Sequence, residues 1–372
     1  MLTDTSAPES GALPSALDPA ARLYARPLGI VWGERPADAA EPFAGGHGWF
    51  TAMELAVRTG ECIVRHRVSA SALRRWAGRI GPSAADRIDS FFVAYAEPLE
   101  PFAGLALDRP RVMGVVNVTP DSFSDGGDYA TAEAAIARAR AQVAAGADLL
   151  DIGGESTRPG AEPVPAEEER ARVVPVVEAL AGDGRLVSID TRKAPVMAAA
   201  LDAGARIVND ISGGTYDAAT LATVAGSRAA VVLMHALGDP KVMQVDPRYA
   251  DPALDVFDYL EARVAAAIAA GIPRRSIMVD PGIGFGKTLD HNLAILRQLA
   301  LLKGLGVAVL LGVSRKSVIG RVAGVEIPKQ RVPGSLALML HGLDQGADVV
   351  RVHDVAESAQ AIALWRAVRN VS

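Results

Sequence analysis

The sequence predicts an α/β protein, a (β/α)8 TIM barrel with a small N-terminal α+β appendage. Three observations predict it. From Val112 onward, short runs rich in Val, Ile and Leu alternate with longer Ala-rich stretches of helical period, as parallel strands and crossover helices do. There are eight such units within residues 112–372, the number that closes a barrel. Each apolar run also ends on a polar residue, whereas an open doubly wound sheet concentrates such residues at a switch point.

The first strand, 112–118, is an apolar run stopped by Thr119-Pro120-Asp121, and Pro, Asp and the paired glycines Gly126-Gly127 cannot extend a packed strand. The others are expected at 148–153, 186–190, 207–210, 229–235, 276–280, 308–313 and 349–353. Helices are expected at 132–145, 166–180, 196–203, 218–225, 257–270, 291–302, 335–345 and 357–369. Recurring Ala-Gly-Ala or Gly-Ile-Pro before strands supplies the helix stops, as in Ala145-Gly146-Ala147 and Gly271-Ile272-Pro273. Asn117, Asp151, Asp190, Asn209, His235, Asp280, Ser314 and Arg351 then sit near strand C-termini, which in a barrel converge on one face.

Upstream, residues 1–20 read as a flexible tail of low apolar content. Residues 21–105 form the appendage, with strands near 28–32 and 61–68 and helices near 70–79 and 84–94. The catalytic barrel is assigned to 106–372. The appendage holds no motif that carries chemistry, and His47 in its Gly-rich loop reads as a solvated residue.

A net charge of −5 on 372 residues gives no basic field for nucleic acid or an anionic membrane, so any phosphate affinity must be local. No apolar run reaches the roughly 18 residues of a membrane helix. The acidic, Pro-containing start lacks a secretory pattern, and a single cysteine, Cys62, expected to be buried or half-buried, forms no internal disulfide. The expectation is a cytoplasmic protein.

The chemistry concentrates in the strand-end loops. Asp190, Asn209 and Asp280 end buried strands, and such groups are costly there unless hydrogen-bonded, which suggests a ligand rich in N–H donors such as a fused heterocycle with an amino group and a ring lactam. Capping of the following helices is the competing reading, strongest for Asp210. Arg158, in Gly153-Gly154-Glu155-Ser156-Thr157-Arg158-Pro159, offers a planar fork to a phosphate or carboxylate. Arg315 and Lys316 after the seventh strand, with Arg351 and His353 at the end of the eighth, suit an anion where such barrels often bind phosphate. Gly282-Ile283-Gly284-Phe285-Gly286-Lys287-Thr288 is not a nucleotide phosphate loop. That motif needs four residues between its first Gly and the Gly-Lys pair, and here three intervene.

Five motifs in order give the chain a family resemblance: 117–127, 151–160, 280–287, Ser314-Arg315-Lys316-Ser317 and 351–355. The segment 112–372 resembles the dihydropteroate synthases, folate-pathway transferases of the pterin-binding barrel family and the sulfonamide target class. The resemblance implies condensation of 6-hydroxymethyl-7,8-dihydropterin diphosphate with p-aminobenzoate, giving 7,8-dihydropteroate and diphosphate, with Mg2+ as cofactor. It implies that Asp190, Asn209, Asp280 and Lys316 hold the pterin, with Met234 and Phe285 near its ring. Asn117, Arg158, Arg351 and His353 would face the diphosphate, Asn117 also the metal, and Thr157, Arg158, Pro159 and Ser314 would line the p-aminobenzoate pocket. Asp190, Lys316, Arg351, His353 and Asn117 form the expected catalytic set, with Thr119 to Gly127 a mobile lid. The family's usual homodimer is expected, with 335–343 and 357–369 read either as its face or as barrel core packing. A pterin-dependent methyltransferase domain, a non-catalytic pterin-binding relative and a different arylamine are the alternatives, and Ala236 stands where family members often carry a second Met.

Overall fold

The computed structural model describes residues 13–37, 40–118, 128–156, 163–238 and 246–369. In the appendage, β1 (Arg22–Leu28), β2 (Val31–Trp32), β3 (Glu41–Phe43), β4 (Gly48–Phe50), β5 (Ala52–Thr59) and β6 (Cys62–Ser69) make two antiparallel sheets, ordered β1-β5-β6 and β2-β4-β3. Ser69 caps α1 (Ala70–Ile80) by accepting from the Ala72 amide, and Pro82 opens α2 (Pro82–Ala96), where a missing N–H costs nothing.

The strand expected at 28–32 is broken in two at Gly29, whose φ of 60° turns the chain. β5 was not anticipated: Ala, Met, Glu and Leu favour helix in isolation, and the strand is imposed by pairing with β1 on one side and β6 on the other. Cys62 is exposed at the start of β6, not buried. Within the stretch 1–20, Leu13 and Leu17 pack against the core and the Trp76 indole donates to the Pro14 carbonyl at 2.7 Å.

The barrel runs β7 (Arg111–Asn117), α3 (Asp128–Ala144), β8 (Leu149–Gly153), α4 (Ala166–Gly182), β9 (Val187–Asp190), α5 (Ala194–Asp202), β10 (Ile207–Asp210), α6 (Thr220–Ser227), β11 (Ala230–Met234) and α7 (Pro252–Ala269). It continues through β12 (Ile277–Asp280), α8 (Leu289–Arg297), β13 (Ala308–Leu311), α9 (Ser317–Ala323), α10 (Val332–Asp344), β14 (Val349–Val352) and α11 (Val355–Arg369). All eight strands pair in parallel, and β14 closes on β7 with Arg351 opposite Met113. The expected helix 291–302 divides at Gln298, after which Leu299–Leu305 is 3-10, and the short α9 was not foreseen.

Strand residues alternate between inside and outside, and the inward set falls into two levels. The lower level is apolar: Met113, Leu149, Ile207, Ala230, Val232, Met278, Ala308, Leu310 and Val349 form one cluster, closed at the strands' N-terminal end by Phe102. Two residues further along β8, β10, β12 and β14, after Leu149, Ile207, Met278 and Val349, stand Asp151, Asn209, Asp280 and Arg351, which is where the site lies. The outward set joins the helices and the appendage in a second core. There Tyr24 and Phe91 each meet Phe257 of α7 at 5.8 Å, and Trp32 meets Trp365 of α11 at 5.1 Å.

Candidate functional site

Register builds the mouth. Asn117 pairs with Gly153, Gly153 with Asp190, and Asp190 with Asn209, so four adjacent strands present these positions at one height. Met234 lies opposite Asp280 on the next pair of strands. Asp151 lies two residues below Gly153 on β8, so its side chain points to the same interior.

Barrel closure brings Arg351 into this ring. Its Nε donates to Asp151 Oδ2 and its Nη2 to Asp190 Oδ2, both at 2.6 Å. The Asn209 amide also donates to Asp151 Oδ2, at 2.9 Å. Asp151 Oδ1 and Asp190 Oδ1 are buried and find no hydrogen-bond partner among the described residues. Buried orphan acceptors are costly, so this pair is where a donor-bearing ligand gains most.

Burial pushes the Asp190 carboxyl up to about 7, helped by Asp151, Glu169 and Asp210 and opposed by Arg351. Burial works against charge on Arg351 too, but Asp151 and Asp190 carry it above the ordinary guanidinium value. Asp280 is raised by burial, against the pull of the Gly282 amide, which donates to it at 2.7 Å, and of Lys316. Lys316 is pushed down to about 8 by burial, with Asp280 opposing. Its ammonium stands 4.1 Å from the Phe285 ring centroid, a cation–π contact that closes the far wall.

His353 and Ser314 form a unit: the Ser314 hydroxyl accepts from the His353 amide at 3.1 Å and lies 3.0 Å from its Nδ1. Burial and the nearby Arg351 and Arg315 push the imidazole down to about 3, so it is neutral at pH 7. Arg315 does not face the anion site. Its guanidinium is held by Asp354 and its carbonyl accepts from Arg331. The four-cation reading of this corner therefore reduces to Arg351 and Lys316. Asp210 is structural, accepting from the Ser212 amide and hydroxyl and the Gly214 amide, so it shapes its own loop.

The mouth thus unites, among the predicted residues, Asp190, Asn209, Asp280, Arg351, Lys316, Phe285, Met234, Ser314, His353 and Asn117. Thr157, Arg158, Pro159 and the lid at Thr119 to Gly127 lie outside the described residues. The sequence placed Asp151 on the converging face and at the start of the 151–160 motif but gave it no partner or ligand. The sequence also offered no role for the buried network below the second loop. There Glu155 pairs with Arg192 at 3.1 Å and with Lys193, and Lys193 pairs with Glu169 at 2.5 Å.

A barrel whose mouth sets unpaired carboxylate oxygens, an amide and a cation–π wall beside an arginine defines an enzyme class that holds a flat, donor-rich heterocycle next to an anion. The family described as pterin binding enzyme matches residues 113–353. The dihydropteroate synthase of Neisseria meningitidis serogroup B is 46% identical over 71% of this chain and 94% of its own. That of Escherichia coli is 44% identical over 69% and 91%. Among solved structures, Xanthomonas albilineans dihydropteroate synthase with 4-aminobenzoic acid matches with a TM-score of 0.69 and 50% identity, over 73% of this chain and 97% of that one. The same enzyme in complex with 7,8-dihydropteroate matches with a TM-score of 0.66 and 47% identity, over 72% and 97%. The chain belongs to the dihydropteroate synthase family. It is a transferase of folate biosynthesis, and the methyltransferase and non-catalytic alternatives give way to that reading.

Proposed function

We propose that this mouth joins p-aminobenzoate to the methylene of 6-hydroxymethyl-7,8-dihydropterin diphosphate through the residues described above. The observation that carries the residue assignment is the pair of orphaned acceptor oxygens on Asp151 and Asp190, two carboxylates whose other oxygens the Arg351 guanidinium bridges. A pterin's amino and ring N–H groups supply the donor missing at Asp190 and bond Asn209 and Asp280 as well. The C–O bond breaks first, leaving a cationic methylene, and the arylamine nitrogen then forms the C–N bond. The electron pair leaves on diphosphate, and the amine's proton passes to solvent or to the leaving group.

Two charges need stabilising in a dissociative step. Asp190 faces the cationic pterin methylene. Arg351, donating from a fixed geometry, faces the departing polyanion, with neutral His353 as a hydrogen-bond donor beside it. Ser314, with Thr157, Arg158 and Pro159, lines the arylamine side, and Arg158 also reaches the diphosphate.

Asn117 fits a Mg2+ role. A Cβ on Gly153 would lie 3.8 Å from its carbonyl oxygen and 3.6 Å from the Asp190 Cβ, so a hard oxygen donor borders the same space. Among the described residues no cluster of three or more His, Cys, Asp or Glu forms a metal cage, which suits an ion that arrives with substrate phosphates and takes one or two protein ligands. When bound it would neutralise charge on the leaving diphosphate. The outer face of α11, where Leu364 and Val368 stay exposed, is the proposed surface for a second copy in a homodimer. No described helix is long and apolar enough to cross a membrane, and a cytoplasmic location fits a pathway of soluble substrates.

The test is direct: incubate purified protein with the pterin diphosphate, p-aminobenzoate and Mg2+, and follow diphosphate release and pteroate formation. Turnover that stops on chelation of Mg2+ and returns on its addition is expected. A folded protein without turnover sinks the reading.

A further inference from the structure

Lys287, the lysine of the motif that fails as a phosphate loop, is 2% exposed, and burial pushes its amine down to about 7, with Asp280 opposing. Its Nζ donates to the carbonyls of Phe285 at 2.9 Å, Gly282 at 3.0 Å and His235 at 3.2 Å, and lies 2.8 Å from His235 Nδ1. Burial pushes the His235 ring down to about 2, so it is neutral and can accept at Nδ1. Two neighbours complete the task. The Tyr249 hydroxyl donates to the Gly286 carbonyl at 2.8 Å, while Asn292 accepts from the Gly284 amide at 2.7 Å and donates to the Thr288 carbonyl at 2.6 Å. The turn's carbonyls at 282, 285 and 286 are thus all held by donors outside the turn's own backbone. A phosphate loop gathers amides around an anion; this turn gathers carbonyls around a buried lysine nitrogen.

The other side of the same turn is a wall of the pocket. The Gly282 amide holds Asp280, the Gly284 backbone lies against the Lys316 side chain, and Phe285 places its ring under the Lys316 ammonium. Gly282 allows the fit: φ is +65°, and a Cβ there would meet the His235 carbonyl at 1.9 Å. We propose that Lys287 is a positioning residue for the pterin pocket, fixing the 282–286 turn so that Asp280, Phe285 and Lys316 stand in place while touching no substrate itself. This rests on the functional reading above. A purely architectural lysine would alter stability alone; a positioning one alters affinity for one substrate and spares the other.

The experiment compares wild type with Lys287→Met, which keeps the chain length and removes the amine. Folding is checked by melting, pterin diphosphate affinity by calorimetry, and KM for p-aminobenzoate by steady-state kinetics. Loss of the Lys287 hydrogen bonds to the turn predicts pterin binding about tenfold weaker, with the p-aminobenzoate KM within about threefold. A folded variant that binds pterin like wild type, or that loses both substrates equally, overturns the proposal. Should Lys287→Met not fold, Tyr249→Phe decides, since it removes one hydrogen bond from the same turn. Pterin binding about threefold weaker with an unchanged p-aminobenzoate KM supports the proposal, and unchanged pterin binding overturns it. Wild-type protein that binds no pterin would overturn the functional reading itself, a distinguishable result.

Discussion

At the barrel mouth, Arg351 divides its guanidinium between Asp151 and Asp190. On the barrel's outer face, Arg58 of the appendage donates to Asp255 at 2.6 Å and approaches Asp258 at 3.5 Å. Each site sets one arginine against two aspartates. They differ in what is left over. Outside, Asp255 also accepts from the Ala250 and Asp251 amides and Asp258 from the Tyr24 hydroxyl, while Arg22 adds a further pair to Asp258. Inside, the orphaned oxygens of Asp151 and Asp190 have no solvent to turn to. In the outer cluster Asp258 Oδ1 also lacks a hydrogen bond, but it lies 2.9 Å from the Arg22 guanidinium, so its charge is met within an ion network worth little per pair. The inner one leaves acceptors unmet, and that deficit is the capacity to bind.

Breaking the inner cluster should produce the largest effect. Arg351→Ala should lower kcat/KM by about 10² or more, since one preorganised donor at a developing charge is worth roughly that. A change under threefold would mean that the leaving group is stabilised elsewhere. Next in size is a pH effect. With its carboxyl near 7, Asp190 loses its charge as pH falls, so kcat/KM should drop about tenfold per unit below that value. Stability moves the other way. An aspartate raised from 3.8 in the fold favours folding when protonated and loses that advantage as pH rises from about 4 to about 7. The acid limb should therefore appear in an enzyme that melts no lower at pH 6 on account of this group. Persistence of the limb in Asp190→Asn would assign it to another residue.

The same contrast explains what could be read in the sequence. Barrel strands are buried on both faces, so each announces itself as an apolar run, and a polar residue ending such a run is conspicuous. Asn117, Asp190, Asn209, Asp280 and Arg351 were legible for that reason. Asp151 was not distinguished from them, because its partnership with Arg351 spans 200 residues and exists only once β14 closes on β7. Arg315 looked like its neighbour Lys316 until φ of 59° and Asp354 turned it aside. Lys287 carried a misleading motif, since what its nitrogen gathers depends on a turn that no spacing rule encodes. The appendage was only partly legible, because β5 takes its conformation from two neighbours and not from its own residues.

The smallest expected effect lies at the outer cluster. Arg58 has a side chain 20% exposed, against 48% for Arg22, so its removal uncovers Asp255 and Asp258 in a drier setting. Arg58→Ala should cost about 1–2 kcal/mol, and Arg22→Ala under about 1 kcal/mol, with the Arg22 loss fading further in high salt. Chemical denaturation of both variants measures this, and kcat/KM should match wild type in each. A route by which it would not is visible. Asp255 accepts from the Ala250 and Asp251 amides, and Tyr249, one residue earlier, holds the Gly286 carbonyl of the pocket turn. If Arg58→Ala raises the pterin KM while Arg22→Ala does not, the outer cluster does more than hold the appendage: it anchors the segment that carries Tyr249. Equal and unchanged KM values keep the two clusters separate, one for stability and one for binding.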